Sequence, residues 1–206
     1  QISALSVNDN CIDFIINPST NGNLINIETY PNSSYYTFLN QAYTVNDTVD
    51  FEKLKITRDW KNNRNSFLIT GSVMDTSSAD TIIRNVDEPT DYAGHLFREM
   101  LIKKGLNIKK LDKGIYSNSG TEIATHYSKS LPSILENLMV ESDNLTAELL
   151  VKIIGYEYSQ IEGNWQNGLH AMKVFLHDEV SLDTTSFSIS DGSGVSRYNY
   201  SSANNF

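Results

Sequence analysis

Ser142-Asp143-Asn144 sets a hydroxyl, a carboxylate and a carboxamide side by side between two apolar patterns of helical period. A hydroxyl accepts one proton and donates another, and a carboxamide donates and accepts at once, so Ser142 and Asn144 suit proton transfer and the orientation of an amide. The same residue types are also the commonest helix N-caps, which would put them at a helix junction with no chemistry attached. A second motif, Asp191-Gly192-Ser193-Gly194-Val195-Ser196-Arg197-Tyr198-Asn199, follows downstream. Gly192 and Gly194 allow positive φ and close backbone approach, while Asp191 and Arg197 can hydrogen-bond or pair across a turn; with Ser193 and Ser196 they read as a scaffold beneath the site. The triplet alone arises by chance in roughly one chain in five or six of this composition, but the second motif does so in about one in ten thousand or fewer, so the pair is informative.

The elements that position the triplet follow from periodicity. Ser130 reads as the N-cap of a helix whose apolar face is Leu131, Ile134, Leu135, Leu138 and Met139, ending at the triplet. Leu145, Leu149, Leu150, Ile153 and Ile154 repeat at helical spacing after it, with Gly155 expected just past the C-terminus. Both helices are expected to be buried. A third helix is expected over Trp165–Asp178, with Trp165, Leu169, Met172, Phe175 and Leu176 packed on the other two. His170 and His177 lie two turns apart on it, too far for a close metal pair, and read as surface histidines.

Upstream, residues 1–88 are β-rich. Ile2, Ala4 and Val7 are expected to form a hairpin with Cys11–Ile16 across Asn8-Asp9-Asn10. Further strands are expected over Leu24–Tyr30, Tyr36–Val45, Leu54–Trp60, Phe67–Met74 and Thr81–Val86, joined by Asn21-Gly22, Asn62–Asn65 and the polar stretch Asp75–Asp80. Successive short strands predict an antiparallel sheet or sandwich. At Pro89-Thr90-Asp91 the period changes to that of a helix stopped by Gly105, and Leu106–Ile108 then resumes a strand pattern. Lys109–Gly114 reads as a charged connector, which gives two domains, 1–108 and 109–206.

Composition excludes several function classes. A net charge of -9, from 16 Lys plus Arg against 25 Asp plus Glu, argues against a nucleic-acid partner, which needs a basic surface. Cys11 stands alone and is expected to be a small buried residue rather than a reactive thiol. No Gly-rich phosphate loop and no close metal-ligand spacing occurs, so neither cofactor nor metal is expected. No apolar run is long enough for a transmembrane segment, and Gln1-Ile2-Ser3 has no secretory signal pattern, so the chain is expected to be an internal fragment.

Together these blocks resemble the class C low-molecular-mass penicillin-binding proteins, the DacB-type D-alanyl-D-alanine carboxypeptidase/endopeptidase family. The resemblance is carried by Ser3–Asn10, Tyr92–Phe97, Ser142-Asp143-Asn144 with Ala147-Glu148-Leu149-Leu150, and Asp191–Asn199, in the family's order. Val195 stands where that family usually has Leu, and Tyr200 where basic or apolar residues are common. The resemblance implies an α+β chain in which a β-rich accessory domain precedes a mainly helical portion of a transpeptidase-like domain of the penicillin-binding-protein and serine β-lactamase kind.

It also implies serine acyl-enzyme chemistry on peptidoglycan stem peptides outside the cytoplasmic membrane, in the periplasm or cell envelope, with acylation by β-lactams. Ser142 would relay a proton to the leaving D-alanine amine and Asn144 would orient the substrate amide. Asp143 would fix the backbone of the turn. The Ser-x-x-Lys nucleophile and the Lys-Thr-Gly strand that complete such a site are absent from the 206 residues, so this chain alone is expected to be inactive. The competing readings are a secreted β-rich binding or adhesion module and a degenerate family member without activity.

Overall fold

A computed structural model describes residues 2–114 and 120–205. The chain is α+β and divides into two compact units, Ser3–Tyr116 and Ser117–Phe206.

The first unit is built on β1 (Cys11–Asn17), where alternation turns Ile12, Phe14 and Ile16 inward to 0%, 0% and 1% exposure. Antiparallel pairing with β2 (Asn26–Tyr30) on one edge and β6 (Asp80–Asn85) on the other makes a sheet of order β2-β1-β6. A second sheet has order β3-β5-β4, from β3 (Thr37–Val45), β4 (Lys55–Arg58) and β5 (Ser66–Met74). Their inner faces share one apolar core, in which the Phe14 and Phe67 ring centroids lie 5.1 Å apart, and α1 (Pro89–Lys103) covers it with Tyr92 and Leu96.

Three expectations fail in this unit. Residues 2–7 form no hairpin with β1, because β2 and β6 already occupy both of its hydrogen-bonding edges. Instead Asn8, Asp9 and Asn10 take left-handed backbone in a short 3-10 turn leading into β1. The second sheet is not purely antiparallel: β4 folds back on β5 through Trp60–Asn62, which leaves β5 between β4 and β3 and running parallel to β3. Leu106–Ile108 forms no strand; the Ile108 carbonyl accepts from Arg98 Nη2 at 3.3 Å rather than from a ladder. Gly105 does stop α1, at φ 88. Cys11 is half-buried, and its thiol pKa is raised by burial and by the nearby Asp9 and Asp13 carboxylates, which disfavours a reactive thiolate.

The second unit contains α2 (Leu131–Glu141), α3 (Asn144–Ser159), α4 (Trp165–Asp178) and a two-stranded ribbon of β7 (Phe187–Ser188) and β8 (Tyr200–Ser201). Helix α4 runs along α3, while α2 meets α3 only near their junction and buries none of its own residues. The expected burial of α2 and its packing by α4 are therefore not what the structure shows. Nor is Gly155 a terminator. It lies buried inside α3, where a Cβ would come within 2.2 Å of Asn167 Oδ1.

Close helix approach explains both differences. The buried face of α3 is Glu148, Val151 and Gly155, and the buried residues of α4 are Gly168 and Ala171, while Ile153 and Ile154 stay exposed at 54% and 40%. A Cβ on Gly168 would stand 2.1 Å from the Val151 carbonyl oxygen. Small residues bring the backbones together, and the larger apolar stripe read from the sequence faces elsewhere.

Candidate active site

Helix α2 ends because Ser142 enters the left-handed region at φ 54, ψ 47. For a residue with a Cβ that conformation costs roughly 1–2 kcal/mol, which the next residue helps to offset. Asp143 returns to extended backbone and caps α3: its Oδ1 accepts from Thr146 N at 3.1 Å and its Oδ2 from Thr146 Oγ1 at 2.5 Å. The expected cap at Ser130 is positional only, since its side chain makes no capping hydrogen bond. The junction thus uses the middle residue of the triplet internally. Ser142 and Asn144 are exposed on either side of it.

One turn into α3 stands Glu148, a carboxylate only 7% exposed. Its Oε1 accepts from Ser193 Oγ at 2.6 Å, Ser193 N at 2.9 Å and Gly192 N at 3.2 Å, and its Oε2 accepts from Trp165 Nε1 at 2.6 Å. Burial pushes its pKa up, but the hydrogen bonds from Ser193, Trp165 and the Gly192 and Ser193 backbone outweigh that, and Glu148 ionises below the ordinary value. Gly192 must be glycine for this contact, since a Cβ there would meet Val151 Cγ2 at 2.5 Å and the Ala147 carbonyl oxygen at 2.7 Å.

The segment after β7 is organised by Asp191. Its Oδ1 accepts from Gly194 N at 2.9 Å and Asn199 Nδ2 at 2.6 Å, and its Oδ2 from Ser196 N at 2.5 Å. Burial again acts upward on the pKa, and the hydrogen bonds from Asn199, Ser196, Gly194 and Val195 reverse it, so Asp191 is held below its usual value. Gly194 has φ 77, and Ser196 Oγ accepts from Tyr198 N at 3.2 Å. Arg197 is exposed and makes no ion pair among the described residues, so the pairing with Asp191 expected from the sequence is not seen; Asn199 bonds Asp191 across the turn instead.

The structure therefore brings Gly192 and Ser193 against α3 at Ala147, Glu148 and Val151, while Asp191, Gly194, Ser196 and Asn199 shape the turn itself. Glu148 is the residue that periodicity missed. Its sequence signal was a charged side chain between Ala147 and Val151, on the face that turns inward. An open cleft of about 470 Å³ adjoins the turn, lined by Met172, Leu176, Leu182, Phe187, Asp191 and Tyr200 among others. His170 lies on the Tyr158 ring and His177 on Asp178, both exposed, and the described residues hold no cluster of His, Cys, Asp and Glu placed to bind a metal. No described helix is long and apolar enough to cross a membrane.

Comparison with known proteins gives the family and the fold. The D-alanyl-D-alanine carboxypeptidase of Actinomadura sp. (strain R39) is 37% identical over 140 residues, 66% of this chain and 26% of that protein. D-alanyl-D-alanine carboxypeptidase DacB of Haemophilus influenzae (strain ATCC 51907 / DSM 11121 / KW20 / Rd) is 30% identical over 118 residues, 57% of this chain and 24% of that protein. The chain thus spans about a quarter of the length of these relatives. Crystal structures of penicillin binding protein 4 (dacB) from Haemophilus influenzae share the fold. The complex with a novel β-lactam superposes with TM-score 0.76 at 21% identity, covering 96% of this chain and 44% of that one. A second structure of the same protein gives 0.75 at 22%, covering 98% and 44%. The pattern of one family matches residues 1–206 throughout, and the chain belongs to that family, the D-Ala-D-Ala carboxypeptidase 3 (S13) family.

Proposed function

We propose that this chain is the Ser-Asp-Asn-bearing part of a serine-type D-Ala-D-Ala carboxypeptidase or endopeptidase that acts on peptidoglycan stem peptides in the periplasm or cell envelope and is acylated by β-lactams. The observation that carries the reading is the division of labour at the α2–α3 junction. Asp143 is consumed in capping α3, whereas Ser142 and Asn144 present a hydroxyl and a carboxamide outward from a helix tied down by Glu148. In this reading residues 1–108 are an accessory domain and residues 109–206 belong to the catalytic one.

In acylation the serine of a Ser-x-x-Lys element forms an ester with the carbonyl of the penultimate D-alanine, and the bond to the terminal D-alanine nitrogen breaks. The lysine of that element takes the proton from the attacking hydroxyl, and Ser142 delivers a proton to the nitrogen as it leaves and recovers one from a neighbouring lysine. A positioned relay of this kind contributes roughly 10²- to 10⁴-fold. Asn144 orients the substrate amide with one edge donating and one accepting. Water then hydrolyses the ester. Asp191, Gly192, Ser193, Gly194, Ser196 and Arg197 support the site from behind rather than touching substrate.

The test uses the intact protein and residues 1–206 side by side. The intact protein is expected to release D-alanine from a D-alanyl-D-alanine peptide and to be labelled by fluorescent penicillin, while residues 1–206 alone remain unlabelled. A stoichiometric adduct on residues 1–206 contradicts the assignment, and an intact protein inert in both assays makes it a degenerate family member.

A further inference from the structure

We infer that Glu148 is a positioning residue for this site, acting through Ser142; the inference rests on the acyl-transfer reading above. An almost fully buried carboxylate is costly unless its lone pairs are used, and here four donors use them. Those donors come from two places: Trp165 opens α4, and Gly192 and Ser193 belong to the Asp191 turn. Glu148 lies one helical turn beyond Asn144, on the first part of α3. The carboxylate therefore fixes the end of α3 that bears the triplet against both supports at once. The tight seat of Gly192 on Ala147 and Val151 leaves little room for slippage while those hydrogen bonds persist.

The donors all require an acceptor, which makes the carboxylate specific. In Glu148→Gln the carboxamide oxygen can keep the three donors now on Oε1, but its NH₂ then faces Trp165 Nε1–H, donor against donor. The helix can no longer satisfy α4 and the turn together. Displacement of about 1 Å at a reacting group lowers rate on the order of 10²-fold, and the displaced group here is Ser142.

The experiment is a double-mutant cycle in the intact protein, combining Glu148→Gln with Ser142→Ala. On a D-alanyl-D-alanine peptide, Glu148→Gln is expected to lower kcat roughly ten- to a hundredfold with KM little changed, and to slow penicillin acylation in parallel. Added to Ser142→Ala it should cost little more, because both act through one group. Losses that multiply, or full turnover in Glu148→Gln, overturn the inference. Ser193→Ala and Trp165→Phe each remove one donor and carry the same test with smaller losses if Glu148→Gln does not fold.

Amide exchange gives a readout free of activity. Protection at Gly192 and Ser193 and in the Asn144–Glu148 turn should fall together in Glu148→Gln; loss at Gly192 and Ser193 alone overturns the inference. If exchange is coupled but the wild-type protein neither turns over nor is acylated, the tie stands and the acyl-transfer reading falls.

Discussion

The two units hold themselves together by different means. In the first, Ile12, Phe14, Ile16, Phe67, Ile69, Val86 and Tyr92 are at most 2% exposed and form a contiguous apolar core between two sheets and a helix. In the second, no described apolar side chain is so deeply buried: the most buried are Val151, Ala171 and Phe187 at 3%, 6% and 7%, packed beside Glu148 with its four donors, the Asp191 turn and buried glycines. An apolar core is indifferent to pH and tolerant of small shifts. A network of ionised carboxylates and close backbone contacts is neither, but it fixes side chains to narrow positions.

The contrast is sharpest for large-to-small changes. Phe14→Ala or Phe67→Ala should cost the first unit about 3–5 kcal/mol, the usual loss for a buried aromatic, and should do so equally at pH 7 and pH 5. In the second unit adding a methyl is the damaging change: Gly168→Ala and Gly192→Ala force atoms into occupied space and should cost about 1–3 kcal/mol. Each unit contains one tryptophan, Trp60 or Trp165, so fluorescence of the Trp60→Phe and Trp165→Phe backgrounds assigns each loss to its unit. An equal response of both tryptophans to Gly168→Ala would erase the distinction.

Acid should separate the units next. Glu148 and Asp191 both have lowered pKa values in the folded chain, so their contribution is present above the unfolded values, near 4.5 and 3.8, and is lost as pH falls through the folded ones. The Trp165 signal is expected to show a falling thermal midpoint below about pH 4.5, flattened by Glu148→Gln. The Trp60 signal should fall by less, through Glu99, where burial acts upward on the pKa and the hydrogen bonds from Ser34 and Ser33 reverse it, and Glu99→Gln should flatten that smaller fall. The smallest expected effect is at the junction. Asp143→Ala removes an N-cap worth about 0.5–2 kcal/mol, while Ser142→Ala, whose side chain does not cap, should leave the midpoint unchanged.

Much of this was legible in the sequence wherever period and local chemistry agree. The change from alternating to helical pattern at Pro89, the bounds of α4 at Trp165 and Asp178, and the placing of Ser142-Asp143-Asn144 at a helix junction are all local signals. What was not legible depends on partners distant in the chain. The parallel pairing of β3 with β5 follows from where β4 folds back, and the exclusion of residues 2–7 from the sheet follows from β2 and β6 filling both edges of β1.

The inward face of α3 was misread for a related reason. Periodicity ranks faces by apolar bulk, and Leu149, Ile153 and Ile154 outweigh Ala147, Val151 and Gly155, yet close packing against Gly168 and Gly192 selects the small residues. Glu148 was hidden by the same rule, since a charge is taken to face solvent until its donors, 17 and 44 or more positions away, are known.

The central claim is that Ser142 is free for chemistry because Asp143 does the structural work of the junction. Ser142→Ala and Asp143→Ala in the intact protein, each measured for D-alanine release and thermal midpoint, test it directly. The account predicts that Ser142→Ala lowers kcat and kcat/KM together, with KM and midpoint little changed, while Asp143→Ala lowers the midpoint. A Ser142→Ala protein with near-normal turnover and a lowered midpoint would contradict it, reducing Ser142 to part of the helix cap.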